Sequence, residues 1–269
     1  MDNNLRKLKA LIRSYSRVAV AFSGGVDSSL LLAISSEELP GNVLALTART
    51  PFQSAGEVEM ARNFARKLGV SQEIITVNIL ENEAIASNPT NRCYLCKKEI
   101  FKTLLKVAKK KGCEVLFDGT NADDTKDYRP GLKAIKELGI ESPFMKLGLG
   151  KKWIRKQSKE LNLPTWDLPA NACLASRISY HTRITTDLLR RIEEGENFLK
   201  KLGLTGVRLR IYNDVACVEV DPSQIKSIFE DDKHLLILEK IKEMGFTVVA
   251  LDLEGHVSGK LNRRIVEIG

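Results

Sequence analysis

The sequence has no Lys-Ser or Lys-Thr pair closing a glycine loop and no G-x-G-x-x-G run, so the Walker and dinucleotide-binding patterns are both absent. No apolar run approaches the roughly 20 residues a membrane span needs. The first residues, Met1-Asp2-Asn3-Asn4-Leu5-Arg6-Lys7, lack the apolar core of a signal peptide. A cytoplasmic chain with reduced cysteines and no membrane partner is therefore expected. Three histidines, His181, His234 and His256, are scattered without metal-ligand spacing. Only one Cys-x-x-Cys occurs among five cysteines, too few for a closed four-thiolate zinc site. Aromatics make up 6% of the chain, and no basic run is interleaved with them as stacking platforms would require. Nucleic acid is not the expected partner, although 42 basic against 34 acidic residues leave a charge of +8. That surplus suits a phosphorylated small molecule equally well.

What is present centres on Ser23-Gly24-Gly25-Val26-Asp27-Ser28-Ser29. The apolar run Arg17–Phe22 before it reads as a buried parallel strand, and Leu30–Ile34 after it as a helix. Two glycines at a strand-to-helix turn let a ligand approach the backbone. The helix N-terminus favours negative charge, and three serines add donors. The stretch reads as a phosphate cradle.

Strand and helix patterns alternate from there, which argues for a parallel α/β sheet flanked by helices. Residues 5–16 read as a leading helix. Strands are expected at Val43–Thr47, Glu73–Val77 and Glu114–Asp118. Helices are expected from Ser54, with Glu57 at capping-box spacing, and over Cys93–Lys111, Pro130–Leu138 and Trp153–Leu161. Leu163–Leu168 reads as a short strand or extended segment. The character changes between about 170 and 185. A charged amphipathic helix, Asp187–Leu202, leads to paired strands at Val207–Ile211 and Val215–Val220, turning at Asn213-Asp214. Helices at Pro222–Phe229 and Leu235–Met244 and a strand at Phe246–Leu251 follow. At 269 residues two domains are expected.

Ligands of open parallel sheets bind beyond the carboxyl ends of strands. Cys93 and Cys96, Asn121 and Asp123, and Cys173 and Arg177 all follow strand-like segments, so they are expected to converge on the cradle's edge. Cys93, Cys96 and Lys97 share a helix face. With Cys173 they make three thiolates, the number a four-iron–four-sulfur cluster with one open iron takes. Zinc with His181 as fourth ligand, or three unrelated thiols, are the other readings. Cys113 and Cys217 read as buried small hydrophobes. Arg208 and Arg210 point to one strand face. They clamp a phosphate, pair with Glu196 and Glu219, or do both, the glutamates then tuning the site or holding a cation.

The motifs SGGVDSS, NRCYLCK, GTNADD followed by DYRPGL, ACLASR and EGHVSGKLN together resemble the LarE family of ATP-dependent sulfur transferases, over nearly the whole chain. That family belongs to the PP-loop ATP pyrophosphatases. The resemblance implies a PP-loop sheet of the adenine nucleotide alpha hydrolase-like type over residues 1–175. A smaller C-terminal α/β domain for substrate binding and oligomerisation would cover residues 176–269. It implies that a carboxylate of pyridinium-3,5-biscarboxylic acid mononucleotide is adenylylated and then thiolated, during nickel-pincer nucleotide synthesis. ATP with Mg²⁺ would sit at Ser23, Gly24, Gly25, Asp27, Ser28, Ser29, Thr47, Gly119, Asn121 and Asp123. Asp27, Lys97 and Cys173 would be catalytic. Ser176, Arg177, Arg208, Arg210, Glu196 and Glu219 would bind substrate, and Cys93, Cys96 and Cys173 the [4Fe-4S] cluster. A homo-oligomer and an external sulfide or sulfur donor are implied. The sacrificial branch, in which Cys173 would surrender its own sulfur, carries tryptophan where this chain has Cys93. A tRNA thiolase is the main alternative, and an amidotransferase-type synthetase a lesser one.

Overall fold

The computed structural model describes residues 2–126, 130–169, 172–257 and 260. Parts of two motifs, Asp127-Tyr128-Arg129 and Ser258-Gly259 with Leu261-Asn262, lie outside the described residues. No described helix is long and apolar enough to cross a membrane. The chain divides into two units: residues 1–79 with 91–171, and 80–90 with 172–269.

In the first unit, strands β1 (Val18–Ala21), β2 (Val43–Arg49), β3 (Ser71–Thr76) and β4 (Val115–Phe117) form a parallel sheet in the order β3-β2-β1-β4. β1 and β2 are apolar almost throughout because helices cover both sheet faces. On one face, α2 (Val26–Glu38) packs with α1 (Asn3–Arg13), α3 (Ala55–Lys67) and α8 (Lys151–Glu160) around Leu30, Leu31, Leu32 and Ile34. On the other, α5 (Arg92–Lys110) buries Phe101, Leu104 and Ala108. Short helices α4 (Glu83–Ala86), α6 (Gly131–Glu137) and α7 (Pro143–Lys146) complete the series up to α8, α4 belonging to the second unit. β3 is polar because it is an edge strand, half-buried over most of its length. Ser54 meets Glu57 as the spacing predicts, but through their side chains, Oγ to Oε1 at 3.0 Å, rather than through a side-chain cap on the backbone.

Leu163–Leu168 is not a strand. Asn162 takes the left-handed conformation (φ 52°) at the end of α8, and turn bonds follow, Trp166 N to Leu163 O and Leu168 N to Thr165 O. Arg155 donates to the carbonyls of Trp166 (2.8 Å) and Leu168 (2.7 Å), which a neighbouring strand would otherwise use. Cys173 therefore follows turns rather than a sheet edge.

In the second unit, β5 (Arg208–Tyr212) and β6 (Val215–Glu219) form an antiparallel hairpin, and β7 (Val248–Leu251) pairs parallel to β6. Asn213 turns the hairpin in the left-handed region (φ 55°). α9 (Thr186–Lys201) lies on β5, where a Cβ at Gly195 would come within 2.6 Å of Leu209. α10 (Lys233–Glu243) is the crossover into β7, and the expected helix at Pro222–Phe229 is two short 3-10 turns. Residues 80–90 join this unit through hydrogen bonds from His181 N to Asn88 O and from Ile184 N to Ala86 O, both 2.8 Å.

Phe117 is fully buried and meets Tyr15 edge-on at 5.4 Å, fixing β4 to the start of β1. Phe117→Ala is expected to cost about 3–5 kcal/mol. An earlier urea midpoint would register it.

Candidate functional site

β1 and β4 are neighbours, while the chain leaves β1 toward β2 on its other side. The loops after β1 and β4 therefore part at a switch point, where open α/β sheets hold ligands. After β1, Gly24 adopts φ +80° and rests against Ala61 of α3, with 3.3 Å left for a Cβ. Gly25 then caps α2 without a side chain, leaving the first amides of the helix directed at the cradle. Ser28 Oγ lies 3.1 Å from Ser23 Oγ and donates to Gly25 O at 3.2 Å. Ser29 is wholly buried, and its Oγ has no hydrogen-bond partner.

The loop after β4 presses on the cradle. A Cβ at Gly119 would lie 2.9 Å from Ser28 N. Asn121 is buried, and its Nδ2 donates to Asp27 Oδ1 at 3.5 Å. Asp123 accepts from Lys151 N at 2.8 Å and so caps α8, and a Cβ at Gly150 would come within 2.5 Å of the same carboxylate. That cap aims Lys151, whose ammonium meets Asp27 Oδ2 at 2.5 Å. Sequence reasoning missed Lys151. A signal existed: Lys151 and Lys152 open a helix, where cations oppose the dipole unless an acid answers them. Thr47 is buried under this surface, donating to Phe22 O (2.7 Å) and accepting from Gln72 (2.8 Å).

A pocket in this unit is lined by Cys93 and Lys97 of α5 with Thr120, Asp124, Pro130, Gly131 and Leu132. Cys93 is exposed and Cys96 half-buried on the first turns of α5. Cys173, in the other unit, is exposed at the N-cap of the 3-10 turn Leu174–Arg177. Among the described residues, no three His, Cys, Asp or Glu side chains stand together as metal ligands do.

The second unit holds a buried charge cluster. Arg177 pairs with Glu196 through Nε at 2.8 Å, both nearly inaccessible. Arg210 Nε pairs with Glu219 at 2.6 Å and its NH1 donates to Ser176 O at 2.9 Å. Glu196 also accepts from Leu209 N at 3.2 Å. The two arginines of one strand face thus differ. Arg210 is ion-paired, diagonally across the hairpin, whereas Arg208 donates only to Val207 O among the described contacts. Burial first, and then Arg177, pushes the Arg208 guanidinium below its ordinary range. Three guanidiniums face two carboxylates here, a surplus that an anion would balance.

The asparagine synthase family model matches residues 6–126. An uncharacterized protein of Synechocystis sp. is 38% identical over 263 residues, 98% of each chain. The pyridinium-3,5-bisthiocarboxylic acid mononucleotide synthase of Lactiplantibacillus plantarum is 33% identical over 258 residues, 95% of this chain and 92% of that one. An uncharacterized protein of Methanocaldococcus jannaschii is 36% identical over 238 residues, 88% of this chain and 90% of that one.

Burial pushes the thiols of Cys113 and Cys217 up, whereas Cys93 and Cys173 stand exposed. Thiolates, not thiols, are the reacting species. Limited iodoacetamide treatment of the native chain at pH 8 is expected to label Cys93 and Cys173 first and to leave Cys113 and Cys217 for last, as read by peptide mass mapping.

Proposed function

We propose that this chain, which belongs to the LarE family of ATP-dependent sulfur transferases within the PP-loop superfamily, adenylylates a carboxylate of pyridinium-3,5-biscarboxylic acid mononucleotide and converts it to a thiocarboxylate. The observation that carries this reading is the cradle after β1, with Asp27 held between Lys151 and Asn121. A substrate carboxylate oxygen attacks the α-phosphorus of ATP. The bond from that phosphorus to the bridging oxygen breaks, and pyrophosphate leaves. Ser23, Gly24, Gly25, Ser28 and the amides opening α2 receive the departing charge. Ser29, Thr47, Gly119, Asn121 and Asp123 are assigned to the same nucleotide site, the buried ones as its supports. Asp27 is assigned to Mg²⁺, which it would hold, and Lys151, which meets Asp27 at 2.5 Å, to the phosphates.

The mononucleotide phosphate is assigned to Arg208, with Arg210, Arg177, Ser176, Glu196 and Glu219 shaping that site. Lys97 is assigned to the substrate carboxylate. In the second half-reaction sulfide attacks the acyl carbon, a C–S bond forms, and the C–O bond to AMP breaks. Cys93, Cys96 and Cys173 are assigned to a four-iron–four-sulfur cluster, which they match in number and ligand type alone. Such a cluster would supply a site for the incoming sulfide. The C-terminal unit is also assigned to self-association.

Asp27→Ala is expected to abolish substrate-dependent pyrophosphate release from a folded protein, and undiminished release would sink the nucleotide assignment. Arg208→Ala is expected to weaken mononucleotide binding by about 1.5–3 kcal/mol, the scale of a charged hydrogen bond, with ATP affinity unchanged in calorimetry. For sulfur delivery, the intact protein is weighed after several product equivalents made anaerobically with sulfide. An unchanged mass supports external sulfide. A loss of about 34 Da at Cys173, with product stopping near one per chain, means that the chain consumes its own cysteine.

A further inference from the structure

Asp118 directly follows β4 and has no part in the reaction so far. It is 4% exposed, so its charge is buried. Its main chain is fixed by a bond from its own N–H to Glu141 O at 2.9 Å, which also brings Ser142 alongside. Thr120 Oγ1 donates to Asp118 Oδ2 at 2.5 Å, and Ser142 Oγ donates to Oδ1. Two hydroxyls thus aim the carboxylate without neutralising it. The cation it faces is Lys97, with Nζ 3.6 Å from Oδ2.

Lys97 is constrained on its other sides as well. Its ammonium lies 5.4 Å from the centroid of Phe101, one turn along α5. Its stem runs under Gly131, where a Cβ would come within 2.8 Å of Lys97 Cδ. The side chain that lines the pocket beside Cys93 is thereby held by a ring, a glycine contact and a buried carboxylate. Removing the charge of a buried ion-pair partner leaves the other charge without compensation and free to reorient.

We propose that Asp118 is a positioning residue, and that its hydroxyl-anchored carboxylate holds the Lys97 ammonium at the point where the substrate carboxylate is activated. This rests on the role given to Lys97 above. Thr120 and Ser142 belong to the same device, because each fixes one carboxylate oxygen.

The test uses the full chain with ATP and the mononucleotide, measuring substrate-dependent pyrophosphate release. Asp118→Asn is expected to lower kcat about 10- to 100-fold, the scale of a misplaced catalytic group. The KM for ATP should stay within about twofold in a protein still folded by circular dichroism. Added to Lys97→Met, Asp118→Asn is expected to do no further harm, since the two act as one unit. Should Asp118→Asn fail to fold, Ser142→Ala keeps the charge and loosens its aim. A kcat lowered about threefold or more is expected from it, and no effect in the Lys97→Met background. Wild-type kcat in Asp118→Asn beside a crippled Lys97→Met overturns the proposal and leaves the role of Lys97 standing. Losses that multiply in the double variant overturn it too. Full activity in Lys97→Met removes both assignments together.

Discussion

No Cβ fits at Gly119, and most of the first unit's site follows from that contact. The backbone after β4 lies against the N-terminus of α2, so the loops of two neighbouring strands become one surface. Asn121 then reaches Asp27, Asp123 reaches the start of α8, and Lys151 is delivered to Asp27 from 124 residues away in sequence. A methyl group at Gly119 would have to displace main chain rather than a flexible side-chain end. The cradle is thus defined as much by what presses on it as by its own glycines.

One buried carboxylate in each unit is aimed by neutral or backbone donors and then faces a cation. Asp118 has Thr120, Ser142 and Lys97. Glu196 has the amide of Leu209 and Arg177. Such groups cost several kcal/mol to bury and are destabilising when half-satisfied, so they hold their partners to one geometry. Arg208 stands apart from these pairs. It is half-buried beside two other guanidiniums, with no carboxylate of its own among the described contacts. That imbalance favours an anion from outside.

The β1–cradle–α2 unit was legible because a buried strand, a glycine turn and an apolar helix each leave a local mark. The parallel sheet followed from strand and helix alternation, and Asn213-Asp214 marked its hairpin correctly. Long-range pairings left no such mark. Residues 80–90 join the second unit through backbone bonds of Ala86 and Asn88, which no side-chain pattern announces. Leu163–Leu168 looked extended because Pro164 disfavours a helix there, but Arg155 takes its carbonyls. The pattern placed Arg208 and Arg210 on one face yet left open whether they bind phosphate or glutamate. The fold separates them by giving Glu219 to Arg210 and Glu196 to Arg177. Asp118 read as no more than a strand end, since its partners come from α5 and from residue 142.

The central claim is that ATP activates the substrate as an acyl-adenylate at this cradle. The measurement that tests it most directly starts from mononucleotide labelled with ¹⁸O in its carboxylates, turned over with ATP and sulfide. Attack on the α-phosphorus leaves one substrate oxygen on AMP when sulfide displaces it, so AMP carrying a single ¹⁸O is the predicted product. Unlabelled AMP, or label appearing in inorganic phosphate with ADP as the nucleotide product, would contradict the account.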